Sequence, residues 1–150
     1  MELSMSIHRS IRRLYRQNLK FSMAQTVHPE LTPFELQLLR HVGFHKEVSQ
    51  RHLAETMSVD KAMISRTLQK LEEKGYLLRK EDKNDARSKQ VTALPPALEI
   101  HQEGTGLTEI FYDAVTKDFS VHELELLDRL LKKMTDNGRQ LNQSMEDKRT

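Results

Sequence analysis

The chain has 150 residues, of which 37% are hydrophobic and 31% charged, a length and composition typical of one ordered domain with a small core or a core shared with a second copy. Its net charge of +2 says little about partners, but residues 46–91 carry eleven basic and eight acidic side chains. The absence of cysteine excludes disulfides, a thiolate nucleophile and switching by cysteine oxidation. No apolar run approaches the ~20 residues of a membrane span, and residues 1–11 lack a signal region, so we expect a cytoplasmic protein.

The first predicted helix, from about Ser6 to Gln25, is amphipathic. Its basic face is expected to be solvated, as charged faces usually are. The apolar face comprises Ile7, Ile11, Leu14, Tyr15 and Phe21, and the basic face Arg9, Arg12, Arg13, Arg16 and Lys20.

A capping box predicts the start of the second helix. Thr32 is the expected N-cap, Pro33 occupies the first helical position, and Glu35 reaches back to the cap. Gly43 is expected to end this helix.

Two helices joined by a tight turn follow. Ser49 is the expected N-cap of a helix that runs to about Met57, and a longer helix spans about Asp60 to Lys74, with Gly75 as its left-handed stop. This pattern is typical of a helix-turn-helix whose second helix enters the major groove of DNA. The predicted DNA contacts here are Ser49, Asp60, Lys61, Ala62, Ser65, Arg66, Gln69 and Lys70.

A β-hairpin with a charged loop comes next, and it suits a DNA-binding wing. Its predicted strands are residues 76–80 and 89–94. Arg87 is expected to enter the minor groove, and Asp85 is expected to orient its guanidinium through a bidentate pair. The predicted wing contacts are Lys83, Asp85, Arg87 and Lys89.

Two further helices are predicted in the last third of the chain. The first spans about Ala97 to Asp118, where Gly104 and Gly106 should weaken or kink it. A second capping box, at residues 120–123, starts the last helix. Its heptad seam predicts a homodimer and consists of Leu124, Leu127, Leu131, Met134, Gly138, Leu141 and Met145.

These elements together resemble the MarR family of bacterial transcriptional regulators. The matching stretches are Leu53-Ala54-Glu55, Val59 to Arg66, Leu71 to Leu77 with Arg79, and Asp85-Ala86-Arg87-Ser88-Lys89. One departure follows the wing, where Leu94-Pro95-Pro96 replaces the family's usual Leu-Thr-x-x-Gly and leaves the orientation of the next helix open.

The resemblance implies a mainly α fold with a small β-hairpin: a winged helix-turn-helix lobe over residues 32–94, flanked by a helical dimerisation lobe over residues 1–31 and 95–146. It also implies a homodimer on a pseudo-palindromic operator of double-stranded DNA. A small aromatic or anionic effector would lower DNA affinity, as expected of a ligand-responsive repressor. The dimerisation residues would be Ile7, Ile11, Leu14, Leu124, Leu127, Leu131, Met134 and Leu141.

Three alternatives remain open. His41 and His45 have a metal-ligand spacing, which would suit a metal-responsive regulator, but no third ligand is evident, so we expect no metal and no cofactor. A winged helix used purely for protein interaction is disfavoured by the basic wing. An enzyme is not expected, because no nucleophile–base pair or phosphate loop stands out.

Overall fold

The computed structural model describes residues 1–83 and 87–148, apart from the side chain of Glu146. Two compact units divide the chain, Met1–Phe111 and Tyr112–Thr150. The described residues form α1 (Glu2–Ala24), α2 (Pro33–His45), β1 (Glu47–Ser49), α3 (Gln50–Met57), α4 (Lys61–Glu73), β2 (Leu77–Glu81), β3 (Lys89–Ala93), α5 (Pro95–Thr116) and α6 (Val121–Asp147). The predicted fold class is confirmed: helices dominate, and a small sheet includes the β2–β3 hairpin, the wing, which follows α3 and α4. Helices α3 and α4 are called the reader helices below.

The core of the first unit lies under the reader helices. Three apolar stripes, from α2, α3 and α4, meet the inner faces of β2, β3 and the start of α5. Burying each such side chain contributes about 1.5–3 kcal/mol. The fully buried members are Leu36, Leu38, Leu39, Val42, Leu53, Ile64, Leu68, Leu71, Leu77, Val91 and Ile100.

Helix α2 begins as predicted but ends later than predicted. Thr32 accepts a hydrogen bond from the Glu35 amide, and the Glu35 carboxylate accepts one from the Thr32 amide, so the capping box is confirmed. The prediction that Gly43 ends the helix is wrong, since the helix continues to His45 and Lys46 caps it at φ 61°.

Gly43 instead allows α2 and α5 to approach closely. A Cβ atom at this position would lie 2.6 Å from the Cβ of His101 and 2.7 Å from the carbonyl oxygen of Ala97. Such distances are far inside van der Waals contact, so a glycine is needed here for packing and not for a helix end.

The sheet has a strand that was not predicted. Antiparallel β1 pairs with β3, which in turn pairs with β2, giving the order β1-β3-β2. Val48 lies opposite Val91 in this ladder. A strand of three residues is too short to produce a periodic signal in the sequence, and its partner is more than 40 positions away.

Two predicted helix boundaries depended on glycine and proline. Gly75 adopts φ 81° directly after α4, and the Tyr76 amide donates to the Leu71 carbonyl at 3.0 Å, which confirms the left-handed stop. Helix α5 begins at Pro95, two residues earlier than predicted, because the first turn of a helix needs no backbone N–H from proline. It runs through Gly104 and Gly106 without interruption.

The second unit contains α6. Its predicted capping box is confirmed, with the Ser120 amide donating to Glu123 at 2.8 Å and the Glu123 amide donating to Ser120 Oγ at 3.3 Å. The apolar heptad residues of α6 are exposed in the single chain. Among the residues that the structure describes, no helix has both the length and the apolar character that crossing a membrane requires.

Candidate nucleic-acid interface

Helices α3 and α4 are joined by a turn at Ser58, which adopts left-handed φ and ψ of 53° and 42°. The Val59 amide closes the turn by donating to the Ala54 carbonyl at 3.2 Å. The buried Leu53 of α3 and Ile64 of α4 share the core beneath. The outer face of α4 is thereby presented to solvent on a rigid base.

Two of the predicted DNA contacts cap helices. Ser49 Oγ accepts a hydrogen bond from the His52 amide at 3.1 Å, and Asp60 Oδ1 accepts one from the Met63 amide at 2.8 Å. Both groups fix the N-termini of the reader helices, where free backbone amides favour anions. Their contact with DNA stays a prediction.

The other predicted contacts on α4 differ in whether their side chains already bind other side chains of the protein. Gln69 donates to Glu73 at 3.1 Å, and Lys70 Nζ lies 2.7 Å from Glu35. For Arg66 no hydrogen bond or ion pair is seen within residues 1–83 and 87–148. The structure thus leaves Arg66 available on the exposed face with Lys61 and Ala62, whereas Lys70 is turned toward α2.

The Lys70–Glu35 pair fastens the reader helix to α2. Glu35 is almost fully buried, and burial raises the pKa of its carboxyl, but the hydrogen bonds from Lys70 and Thr32 outweigh burial and lower the pKa below the ordinary value. The charged form is therefore the stable one, and both α4 and the start of α2 are held by one carboxylate.

Arg79 fastens the wing to the reader helix. Its backbone amide and its Nε donate to the two oxygens of Glu72 at 2.7 and 2.9 Å, and Nη1 reaches the Ser65 carbonyl at 3.4 Å. Burial raises the pKa of Glu72, but the hydrogen bonds and charge of Arg79 lower it further than burial raises it. These three hydrogen bonds join strand β2 to helix α4.

A cationic cavity of about 260 Å³ lies where α3, α4 and the wing meet. Two buried polar atoms, Gln50 Oε1 and Ser88 Oγ, find no hydrogen-bond partner among the described residues. Buried polar groups are normally paired, so these two indicate a site for water or a polar ligand. The lining residues are Gln50, Arg51, Lys61, Arg87 and Ser88.

Lys61 and Arg87 of this lining were predicted as DNA contacts. Arg51 also lines the cavity but was not among the predicted contacts. Arg51 follows the Ser49 N-cap by two residues and forms an ion pair with Glu55 at 2.9 Å. A cation in the first turn of a capped helix is a signal that could have identified it.

The remaining wing predictions lie at the hairpin. Lys89 begins β3 opposite Glu81, and Lys83 is exposed beside the end of β2. Asp85 lies outside the described residues, so its predicted pairing with Arg87 stays a prediction.

A second cavity, of about 350 Å³, lies between α2 and α5. Arg40 lines it together with Phe44 and His101. Nη1 of Arg40 donates to Ser22 at 2.8 Å, while its buried Nε lacks a hydrogen-bond partner among the described residues. Gly104 makes room for this side chain, because a Cβ there would overlap it.

Three histidines lie together at the end of α2 and in α3. His41, His45 and His52 each offer a ring nitrogen, and these nitrogens all lie within 4.8 Å of one another. The prediction of no metal depended on the lack of a third ligand. His52 is a third candidate ligand, and because it lies on another helix it has no i, i+4 spacing to the other two in the sequence.

A capped helix pair, an antiparallel wing clamped to its second helix, and a core beneath both define a winged helix-turn-helix protein. The MarR family model matches residues 31–89, which include α2, β1, α3, α4 and β2 and end at the first residue of β3. Residues 31–89 thus match the MarR family, and the resemblance noted from the motifs is confirmed.

Solved structures agree with this fold over most of the chain. A MarR protein from Peptoclostridium difficile is 24% identical with a TM-score of 0.75, covering 87% of this chain and 86% of its own. A MarR transcriptional regulator from Methanosarcina mazei is 20% identical with a TM-score of 0.78, covering 91% and 99%. A MarR family transcriptional regulator from Listeria monocytogenes, complexed with a 26mer DNA, is 21% identical with a TM-score of 0.74, covering 86% of each chain.

Proposed function

We propose that the protein is a sequence-specific regulator of transcription that binds double-stranded DNA in the cytoplasm. The observation that carries this proposal is the cationic cavity formed by Arg51, Lys61 and Arg87 beside the exposed face of α4. A phosphate fits such a cavity, because it offers three positive side chains and two polar atoms for which the described residues supply no hydrogen-bond partner. The Listeria relative solved with DNA supports the same use of this fold.

The surface divides into two kinds of contact. Arg66 and Ala62 lie on the exposed face of α4, where they would meet base edges in the major groove. Lys61 and Arg51 would hold phosphates and set the depth at which α4 enters. Arg87, at the wing, would extend to the adjacent minor groove.

The active form would be a homodimer on a pseudo-palindromic operator. In α1, Ile7, Ile11 and Leu14 each expose about 40% of their surface, and the heptad stripe of α6 is exposed likewise. Apolar stripes on two long helices need a partner, and a second copy of the same chain supplies matching stripes. Half-sites would then lie about one helical turn apart.

The regulator would act as a repressor that a small anionic aromatic compound releases from DNA. The cavity between α2 and α5 has the size of a small-ligand site, and Arg40 offers a partly buried guanidinium to a carboxylate. Titration calorimetry with benzoate as the probe should show binding to the wild type and none to Arg40→Gln. Equal binding by both proteins would remove Arg40 from the effector site.

The DNA proposal is tested by fluorescence anisotropy on duplexes from the region upstream of the gene, over a range of salt concentrations. Affinity should fall steeply with salt, and Arg66→Ala should lose about 1–3 kcal/mol on the preferred duplex. Arg12→Ala is a matched control, since Arg12 is exposed on the basic face of α1. No saturable binding to any duplex would favour a protein-interaction module, and equal losses in both variants would contradict the role of α4.

A further inference from the structure

Three imidazoles, two from α2 and one from α3, lie close together. His41 and His45 are one turn apart on α2, and His52 lies in the first turn of α3. The ring centroids are 4.9 Å apart for His41 and His45, and 5.6 Å apart for His45 and His52. The triangle combines two helices that β1 connects along the chain.

One ring nitrogen of this cluster lacks a hydrogen-bond partner among the described residues. Nε2 of His41 is buried, and no hydrogen-bond partner for it is found among the described residues. A buried nitrogen without a hydrogen-bond partner is destabilising, so it indicates that a binding partner is missing.

We propose that His41, His45 and His52 bind one divalent transition-metal ion, with zinc as the representative. In a tetrahedral site with Zn–N bonds of about 2.0–2.1 Å, ligand nitrogens lie roughly 3.4 Å apart. Nitrogens that already lie within 4.8 Å reach this spacing by side-chain rotation, which the exposed His45 and His52 permit.

The surroundings suit such a site. The Ser49 cap fixes the backbone of His52, and Thr56 Oγ1 lies 3.3 Å from His52 Nε2, where it orients the ring as outer contacts of metal-bound histidines do. Three protein ligands leave a fourth position for water. The ion would join the end of α2 to the first helix of the reader and stabilise this junction when metal is present.

The test measures metal binding directly, with the full-length protein free of any histidine tag and without DNA. Cobalt(II) absorption reports tetrahedral coordination, and zinc affinity follows from competition with a chromophoric chelator. The variants are His45→Gln and His52→Gln, both at exposed positions, and the matched control is His122→Gln, exposed at the start of α6. Circular dichroism verifies that each variant is folded.

We expect one zinc per wild-type chain, a tetrahedral cobalt spectrum, and zinc affinity at least about 10-fold weaker in each of the two variants than in His122→Gln. Zinc affinity unchanged in both variants, or lowered equally by His122→Gln, would overturn the proposal. Because DNA is absent, a failure of the DNA-binding function would leave this result unaffected.

Discussion

At the scale of single residues, two arginines near the reader have opposite tasks. Arg79 is nearly buried and donates hydrogen bonds to Glu72 and to the Ser65 carbonyl, so it positions the wing. Arg51 is well exposed, forms an ion pair with Glu55 and lines the cationic cavity. The same residue type therefore serves structure in one place and, as we propose, phosphate binding in the other.

This distinction predicts the behaviour of Arg51→Gln. Binding should weaken to a similar extent on the preferred duplex and on a scrambled duplex, and the slope of log K against log salt should fall by about one. Anisotropy at several salt concentrations measures both quantities, with Arg129→Gln on α6 as the control. A loss confined to the preferred duplex would mean that Arg51 contacts bases.

At the scale of secondary-structure elements, the crossing of α2 and α5 depends on Gly43. Gly43→Ala should destabilise the protein by about 1–3 kcal/mol, because the added methyl meets the backbone of Ala97 and the Cβ of His101. Gly106→Ala is the matched control in α5, where no atom lies within 4 Å of the new Cβ, and it should stabilise by about 0.5–1 kcal/mol. Urea denaturation of both variants and the wild type measures these changes in stability. Equal stability of Gly43→Ala and wild type would contradict the close approach.

The clamp between α4 and β2 predicts a dependence of stability on pH. Folding lowers the pKa of Glu72, so its contribution is present above the unfolded-state pKa of about 4.3 and is lost as the pH falls through the folded-state pKa. Glu72→Gln should therefore lose about 1–3 kcal/mol at pH 7 and approach wild type at pH 3. Urea denaturation at both pH values tests this, and a difference that does not shrink in acid would refute it.

At the scale of the whole molecule, the exposed apolar stripe of α6 is a surface that a single chain leaves uncovered. Leu127→Glu should place a charge in the proposed dimer interface and give a monomer by light scattering, with a footprint limited to one half-site. Gln140→Glu adds the same charge to α6 outside the heptad stripe and should leave the dimer intact. A dimeric Leu127→Glu protein would place the interface elsewhere.

Local features of this protein were predictable from the sequence because each depends on neighbouring residues. The Thr32 and Ser120 capping boxes, the Ser49 and Asp60 caps and the left-handed Gly75 involve atoms within five positions of one another. The reader helices and most of their exposed face followed from these signals and from helical periodicity.

The tertiary structure decided what depends on distant residues. Gly43 looked like a helix end because its true constraint, the backbone of Ala97, lies 54 positions away in α5. Segment 47–49 is a strand because it pairs with β3. His52 lies near His41 and His45 because α3 folds against the end of α2. Local chemistry determined where the helices start and stop, while packing decided which side chains meet, because close contacts between elements leave no periodic trace in the chain.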